Sequence, residues 1–347
     1  MRSFFARRRA RTIDPEGRRL LGASLESGAP ILAPRGHGLL LSANGGGKTT
    51  RGAMPWLLSL AAGKAAGGVA ILDSKDGEMA IQAVPMLARM GVKVAVIDDL
   101  ERWPQLAPWR IKLSPFGAAA EAQARDRRDA IFAVETGTFA LVEEPKDDSK
   151  NIYFRAWPRN LIGFAKGVLL ARDPETATPG GVAAILADPD MLKGFAEIEA
   201  EEGEEPLRSL ARSIRDMIGH EHWPQHLEEA QRALRLFAPG TRLHEVGRDA
   251  THTHSDLIRE GYVVFLVGPQ AQMSRLGPYY ALHIQAFVHA LYQGAGRLRV
   301  IADEFTNTPL KSLVDSLTTL RAFGGEIFLI AQSRSEIVRK FGQQETL

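Results

Sequence analysis

The stretch Leu39-Leu-Leu-Ser-Ala-Asn-Gly-Gly-Gly-Lys-Thr-Thr50 decides the fold. An apolar run is followed by a glycine-rich turn, then by Lys-Thr opening a helix, which is the order that a phosphate-binding loop requires. Glycines let the backbone curl so that successive N–H groups converge on phosphate oxygens, and the helix that follows adds the positive end of its dipole. The expected nucleotide contacts are Asn44, Gly45, Gly46, Gly47, Lys48, Thr49 and Thr50. Lys48 would reach the β- and γ-phosphates of ATP, and the Thr49 hydroxyl would ligate Mg²⁺. Ser42 stands where the motif usually places its first glycine. A chance lysine after a glycine-rich βα turn is the plain alternative. It is disfavoured because strand, glycines, Lys-Thr and helix all agree.

A phosphate loop needs an acid at the end of another strand. Leu298-Arg-Val-Ile-Ala-Asp-Glu304 supplies a pair. Asp303 is suited to hold Mg²⁺, and Glu304 to polarise the attacking water. Ile327-Phe-Leu-Ile-Ala-Gln332 ends in an amide suited to sense the γ-phosphate, or simply to close a turn. Arg321, between the two, reads either as a finger reaching a neighbouring subunit's ATP or as a surface arginine. Asp73-Ser-Lys-Asp-Gly-Glu78 follows a further strand. Its Asp73 and Lys75 are placed at the sheet's carboxyl edge, where open α/β folds bind ligands, but a plain turn fits those residues equally well.

The strands expected around these motifs are Gly38–Ala43, Val69–Asp73, Lys93–Ile97, Tyr262–Val267, Arg299–Asp303 and Glu326–Ala331. Most are continuous apolar runs, as strands buried on both faces are in a parallel sheet. Three precede residue 100 and three follow residue 260. The middle instead carries helical stripes at Trp157/Leu161/Phe164/Val168, Leu207/Leu210/Ile214/Met217 and Leu227/Ala230/Leu234/Phe237. Pro158 should start or kink its helix. The expected division is a basic segment over 1–29, a nucleotide-binding region over 30–115 and 247–347, and an inserted all-α domain over 116–246. The fold class is α/β.

Composition narrows the function. The chain has 347 residues, 45% of them hydrophobic, enough for a sizeable core. With no cysteine, thiolate zinc sites and cysteine catalysis are excluded. The net charge is only +2, so any nucleic-acid contact must come from local patches. The N-terminal Arg2, Arg7, Arg8, Arg9 and Arg11 form one such patch, or a solvated tail. The run from Glu197 to Glu205 reads as a solvated helix end. His220, His222, His226, His252 and His254 lack an acidic or thiolate frame for a metal and read as loop residues. No segment has the roughly 20 apolar residues of a membrane helix, so the chain is expected to be soluble.

Together these motifs resemble the conjugative coupling proteins of type IV secretion, the TraG/TraD-like P-loop ATPases. The likeness lies in His37 to Thr49, in Asp73 to Glu78 with Asp76 as one extra residue, and in the run from Asp256 to Pro269. It continues in Ile301-Ala-Asp-Glu-Phe-Thr-Asn307, then Ile330-Ala-Gln-Ser333 and Phe341-Gly342. The resemblance implies a RecA-like sheet with an inserted all-α domain, and a hexameric ring on the cytoplasmic face of the bacterial inner membrane. It also implies Mg-ATP hydrolysis driving translocation of DNA or a relaxase–DNA complex into the secretion channel, and it favours Arg321 as a finger. Such proteins usually begin with membrane helices, so the resemblance leaves two expectations, a soluble variant or reliance on a separate membrane subunit. Two other readings remain: an ATPase that selects secreted effector proteins, and a non-hydrolysing recruitment module ordered by ATP.

Overall fold

The computed structural model describes residues 17–43, 45–62, 67–126, 128, 130–142, 152–308, 313–314 and 316–342. The basic N-terminal patch and Asn44 lie outside them. A short antiparallel hairpin comes first, β1 (Leu20–Ala23) and β2 (Pro30–Leu32). Then β3 (Gly38–Leu41) leads through the glycine turn and a wide helical turn, Lys48–Ala53, into α1 (Met54–Ala62). The units β4 (Gly68–Asp73), α2 (Glu78–Arg89) and β5 (Val94–Ile97) follow.

Between β5 and β6 the described residues form helices rather than strands. They are α3 (Gly117–Arg125), α4 (Ala130–Leu141), α5 (Ile152–Arg172), α6 (Pro179–Ala187), α7 (Pro189–Glu201), α8 (Leu207–Met217), α9 (Trp223–Ala233) and α10 (His254–Arg259). The chain then returns through β6 (Val263–Val267), α11 (Met273–Tyr292), β7 (Leu298–Ala302), α12 (Leu317–Leu320), β8 (Gly325–Ala331) and α13 (Arg334–Phe341).

Six strands form one parallel sheet in the order β3-β8-β7-β4-β6-β5. Every residue of β4, β6, β7 and β8 is buried. The reason is visible in the alternation of the strands. Val69 and Ile71 of β4 pack with Trp56, Leu57 and Val84 of α1 and α2, whereas Ala70 and Leu72 pack with Tyr280, Ile284 and Phe287 of α11. Apolar residues on both faces therefore read as unbroken runs. Strand β3 lies at the sheet edge, and Leu39 and Leu41 on its outer face are about half exposed (53% and 42%).

The helical segment shares its core with the α11 face of the sheet. Leu161, Phe164 and Val168 of α5, Ile214 of α8 and Phe237 beyond α9 belong to the same apolar cluster as Leu72, Ile97 and Phe287. The three helical stripes thus face inward, as their spacing predicts. Pro158 lies in the second turn of α5 rather than at its start. Two histidines depart from the loop reading. His226 is buried within α9, and His254 is buried at the start of α10 with its Nε2 3.2 Å from His283 Nδ1. Helix packing encloses them, which sequence spacing alone does not reveal. Glu199, in the acidic run, is likewise buried and accepts a 2.7 Å bond from Arg172.

Candidate nucleotide site

Four neighbouring strands, β3, β8, β7 and β4, deliver polar groups to one place at their carboxyl ends. After β3, Gly45 and Gly47 take left-handed backbone (φ 76° and 79°), which a side chain would strain. At Gly46 an added Cβ would lie 2.1 Å from Ser42 Oγ. This tight turn sets Lys48 and Thr49 at the start of the helix. Thr49 Oγ1 donates to Asp303 Oδ2 at 2.9 Å, across 254 positions of sequence. Lys48 Nζ is 3.2 Å from Glu304 Oε1, and both side chains are buried.

From β8, Gln332 Nε2 donates to Glu304 Oε2 at 2.9 Å. From β4, Lys75 Nζ lies 3.0 Å from Glu304 Oε1 and 3.3 Å from Asp303 Oδ2. Ser74 Oγ donates to the Asp303 carbonyl at 2.9 Å, fixing the acid pair's backbone. Glu304 itself sits in left-handed backbone (φ 51°), uncommon for a non-glycine residue and held here by its neighbours.

Charge follows this geometry. Burial pushes the Glu304 carboxyl up. The amines of Lys75 and Lys48 and the amide of Gln332 outweigh it, holding the group below the ordinary glutamate range. Burial pulls the Lys75 amine down, and Asp303 and Glu304 together raise it above its usual value. Glu304 is therefore an ionised carboxylate, the form a base or water-orienting group needs. Asp73 has a different task. Its carboxylate accepts from Ala80 N at 2.8 Å and from Lys75 N, closing the turn into α2. Burial raises its pKa to about 6.

The structure brings together Lys48, Thr49, Asp303, Glu304 and Gln332. Thr50 is exposed and its hydroxyl turns back to the Gly47 carbonyl, away from the acid pair. Arg321 is exposed and precedes β8, whereas Gln332 follows it. A seven-residue strand separates them, about 23 Å at the usual rise. Arg321 therefore stands at the amino edge of the sheet, remote from the phosphate loop of its own chain. Lys75, left open by the sequence, is a full member of the cluster. Ser74 and Glu336 were not foreseen. Glu336 accepts from Gln332 N at 3.4 Å, supporting the strand end that carries the amide. Position directly after an apolar run was the only signal for Ser74.

The donors fit Mg-ATP. Lys48 Nζ is buried, and among the described residues its polar contact is the ion pair with Glu304. A phosphate oxygen is the acceptor such a group lacks. The Thr49 hydroxyl and Asp303 carboxylate converge as hard oxygen donors, which suits a magnesium ion that otherwise keeps waters and phosphate oxygens.

Residues 297–347 match the family described as the TraM recognition site of TraD and TraG. The solved structure of the bacterial conjugative coupling protein TrwBdeltaN70, in its unbound monoclinic form, aligns with a TM-score of 0.66 and 18% identity. That alignment covers 94% of this chain and 69% of the other. Over residues 297–347 the chain thus resembles TraD and TraG. TrwB in complex with ADP and Mg²⁺ aligns at TM-score 0.58 and 18% identity, over 94% of this chain and 71% of that one. VirB4 of Thermoanaerobacter pseudethanolicus aligns at 0.54 and 14%, over 94% and 80%. No curated protein sequence matches significantly. The RecA-like P-loop fold is thus shared with these proteins, and the segment bearing Asp303, Glu304 and Gln332 lies within the family match. No described helix is long and apolar enough to cross a membrane.

Proposed function

We propose that this chain is a coupling ATPase that hydrolyses Mg-ATP to move DNA, or a relaxase–DNA complex, toward a type IV secretion channel. The observation that carries the reading is the meeting of Lys48, Thr49, Asp303, Glu304 and Gln332 from distant parts of the sequence. Backbone N–H groups of Gly45–Gly47 and of the start of the Lys48–Ala53 helical turn cradle the phosphates, and Lys48 turns from Glu304 to the γ-phosphate. Thr49 and Asp303 hold the magnesium ion, which when bound neutralises charge on the phosphate oxygens. Glu304, released from Lys48, accepts the proton of the attacking water. Gln332 keeps the Glu304 carboxylate aimed. Lys75 holds both acids ionised and in place.

Arg321 cannot serve its own loop from the opposite sheet edge, so its catalytic use requires a neighbouring copy, in keeping with a hexameric ring. The helical region over 116–246 presents cargo or a recruiting partner, and the assembly works at the inner face of the bacterial inner membrane.

The test is phosphate release by the intact chain. Glu304→Gln should retain nucleotide and lose about 10²–10⁴ in turnover, the usual worth of a positioned acid–base group. Normal hydrolysis by Glu304→Gln would remove the assignment, and absence of hydrolysis in the unaltered protein with tight ATP binding would favour the recruitment-module reading. Arg321→Ala should poison mixed assemblies with a loss of up to about 10³–10⁵. Unimpaired turnover of both the variant and the mixtures would sink the finger.

A further inference from the structure

The short turn Arg321–Phe323, between α12 and β8, is exposed at all three residues yet tightly held. Exposed turns are ordinarily among the first parts of a fold to open. Arg321 itself makes no ion pair or side-chain hydrogen bond among the described residues. The bonds that hold the turn are made by its neighbours.

On one side stands Tyr292, the last residue of α11. Its hydroxyl and that of Thr319 in α12 share a 2.9 Å hydrogen bond, and its ring meets Phe323 edge-on with centroids 4.9 Å apart. On the other side stands His37, just ahead of β3. Its Nδ1 accepts from the backbone N–H of Ile327 in β8 at 3.1 Å. Burial lowers the pKa of the ring, and the Leu317 carbonyl at the start of α12 opposes this by favouring its proton. At neutral pH the imidazole is therefore uncharged, with its proton on Nε2. Arg19 donates to the carbonyls of Gly36 at 2.9 Å and His37 at 3.2 Å, fixing the backbone from which that ring projects. At Gly325 an added Cβ would lie 2.9 Å from Leu291 Cδ2 and 3.0 Å from the Leu320 carbonyl oxygen. Gly324 takes left-handed backbone (φ 88°).

We infer that Tyr292 and His37 are positioning residues that hold the Arg321 turn rigid, so that its guanidinium meets the ATP of a neighbouring copy in one fixed geometry. The inference rests on the proposed role of Arg321 and adds the means by which that arginine is aimed. Buried Leu320 already anchors the turn, but apolar burial has no direction. The hydroxyl pair and the imidazole supply direction, from two elements on opposite sides of the turn. Direction matters because a misplacement of about 1 Å can cost about 10²-fold in rate. A turn ordered before contact also spares the assembly the entropy of ordering it later.

Steady-state hydrolysis by the intact chain, together with hydrogen exchange at the Gly324 amide, tests it. That amide donates to the Arg321 carbonyl at 3.2 Å and so reports whether the turn is closed. Tyr292→Phe keeps the ring and removes the hydroxyl, and His37→Ala removes the imidazole. Each should lower kcat about tenfold with KM for ATP unchanged, because the phosphate loop is intact. Each should also speed Gly324 exchange about tenfold. His37→Asn, whose side-chain carbonyl can take the Ile327 N–H, should restore both readouts. In an Arg321→Ala background neither change should lower kcat further, since the group being aimed is gone. An equal loss with and without Arg321 would overturn the inference, because the two residues would then act through the fold at large. Unchanged Gly324 exchange would overturn it too. Full turnover by Tyr292→Phe and His37→Ala beside an impaired Arg321→Ala would leave the finger standing and remove the aiming. Full turnover by Arg321→Ala, or no hydrolysis by the unaltered protein, would remove both together.

Discussion

At the end of β7, Asp303 and Glu304 are held by two lysines, a loop threonine and a glutamine. Further along the same sheet edge, at the end of β5, Asp98 and Asp99 are held by different means. Asp98 accepts from the backbone N–H of Arg102 and Trp103, both at 3.2 Å, and from Arg110 NH2 at 2.8 Å. Asp99 accepts a very short bond from the Tyr279 hydroxyl. Both halves bury carboxylates, yet only one has exchangeable partners. A lysine is a point charge on a flexible stem and can trade one anion for another, whereas an arginine fork and fixed backbone donors are bound to one geometry. On the proposed function, the β7 half changes partners when phosphate arrives. The β5 half fastens α11, and with it the helical layer, to the sheet.

This contrast can be broken in three ways, taken from the largest effect to the smallest. Arg110→Met should cost about 3–5 kcal/mol in urea unfolding, because it strands a buried carboxylate. Hydrolysis per folded molecule should stay within about twofold. A loss below about 1 kcal/mol would show that the β5 half is not a lock.

A second effect comes from pH. Burial raises the pKa of Asp99 to about 6, despite the opposing Tyr279 hydrogen bond, and burial likewise raises Asp73 to about 6. Both lie above the unfolded value of about 3.9. The native state thus holds these protons longer than the unfolded chain. Their stabilisation is complete below about pH 4 and is lost as pH rises through about 6, about 2–3 kcal/mol for each group. Asp99→Asn should remove half of that pH-dependent loss, read as the difference between variant and unaltered protein in unfolding free energy across the interval. An unchanged slope would mean Asp99 does not carry it.

The smallest effect is at Lys75. Lys75→Met should lower turnover about tenfold, near 1.4 kcal/mol in the barrier, while stability falls by less than in Arg110→Met because Lys48 still faces Glu304 and Thr49 still donates to Asp303. If Lys75→Met destabilised the fold as much as Arg110→Met, the two halves would not differ in kind.

The six strands of the main sheet were legible because burial on both faces leaves uninterrupted apolar runs, as in β4 and β8. The β1–β2 hairpin was not, since its few residues are mostly exposed and carry no such run. The phosphate loop and the acid pair were legible because each chemistry demands local neighbours: glycines before Lys-Thr, and acids directly after a strand. Lys75 stayed ambiguous for the opposite reason. Its partner Asp303 is 228 positions away, and only the pairing of β4 with β7 brings them together. The histidines misled because burial of His226 and His254 depends on helix packing that spacing does not encode.

By itself, then, the sequence determined where a glycine-rich turn precedes Lys48, which strand ends in acid, and which stretches are helical, all matters of local pattern and backbone chemistry. Strand order, the placement of Arg321 at the far sheet edge, and the meeting of Lys75 with Asp303 were decided by tertiary structure alone. Those depend on contacts between positions far apart in the chain, and no local pattern constrains which of them meet.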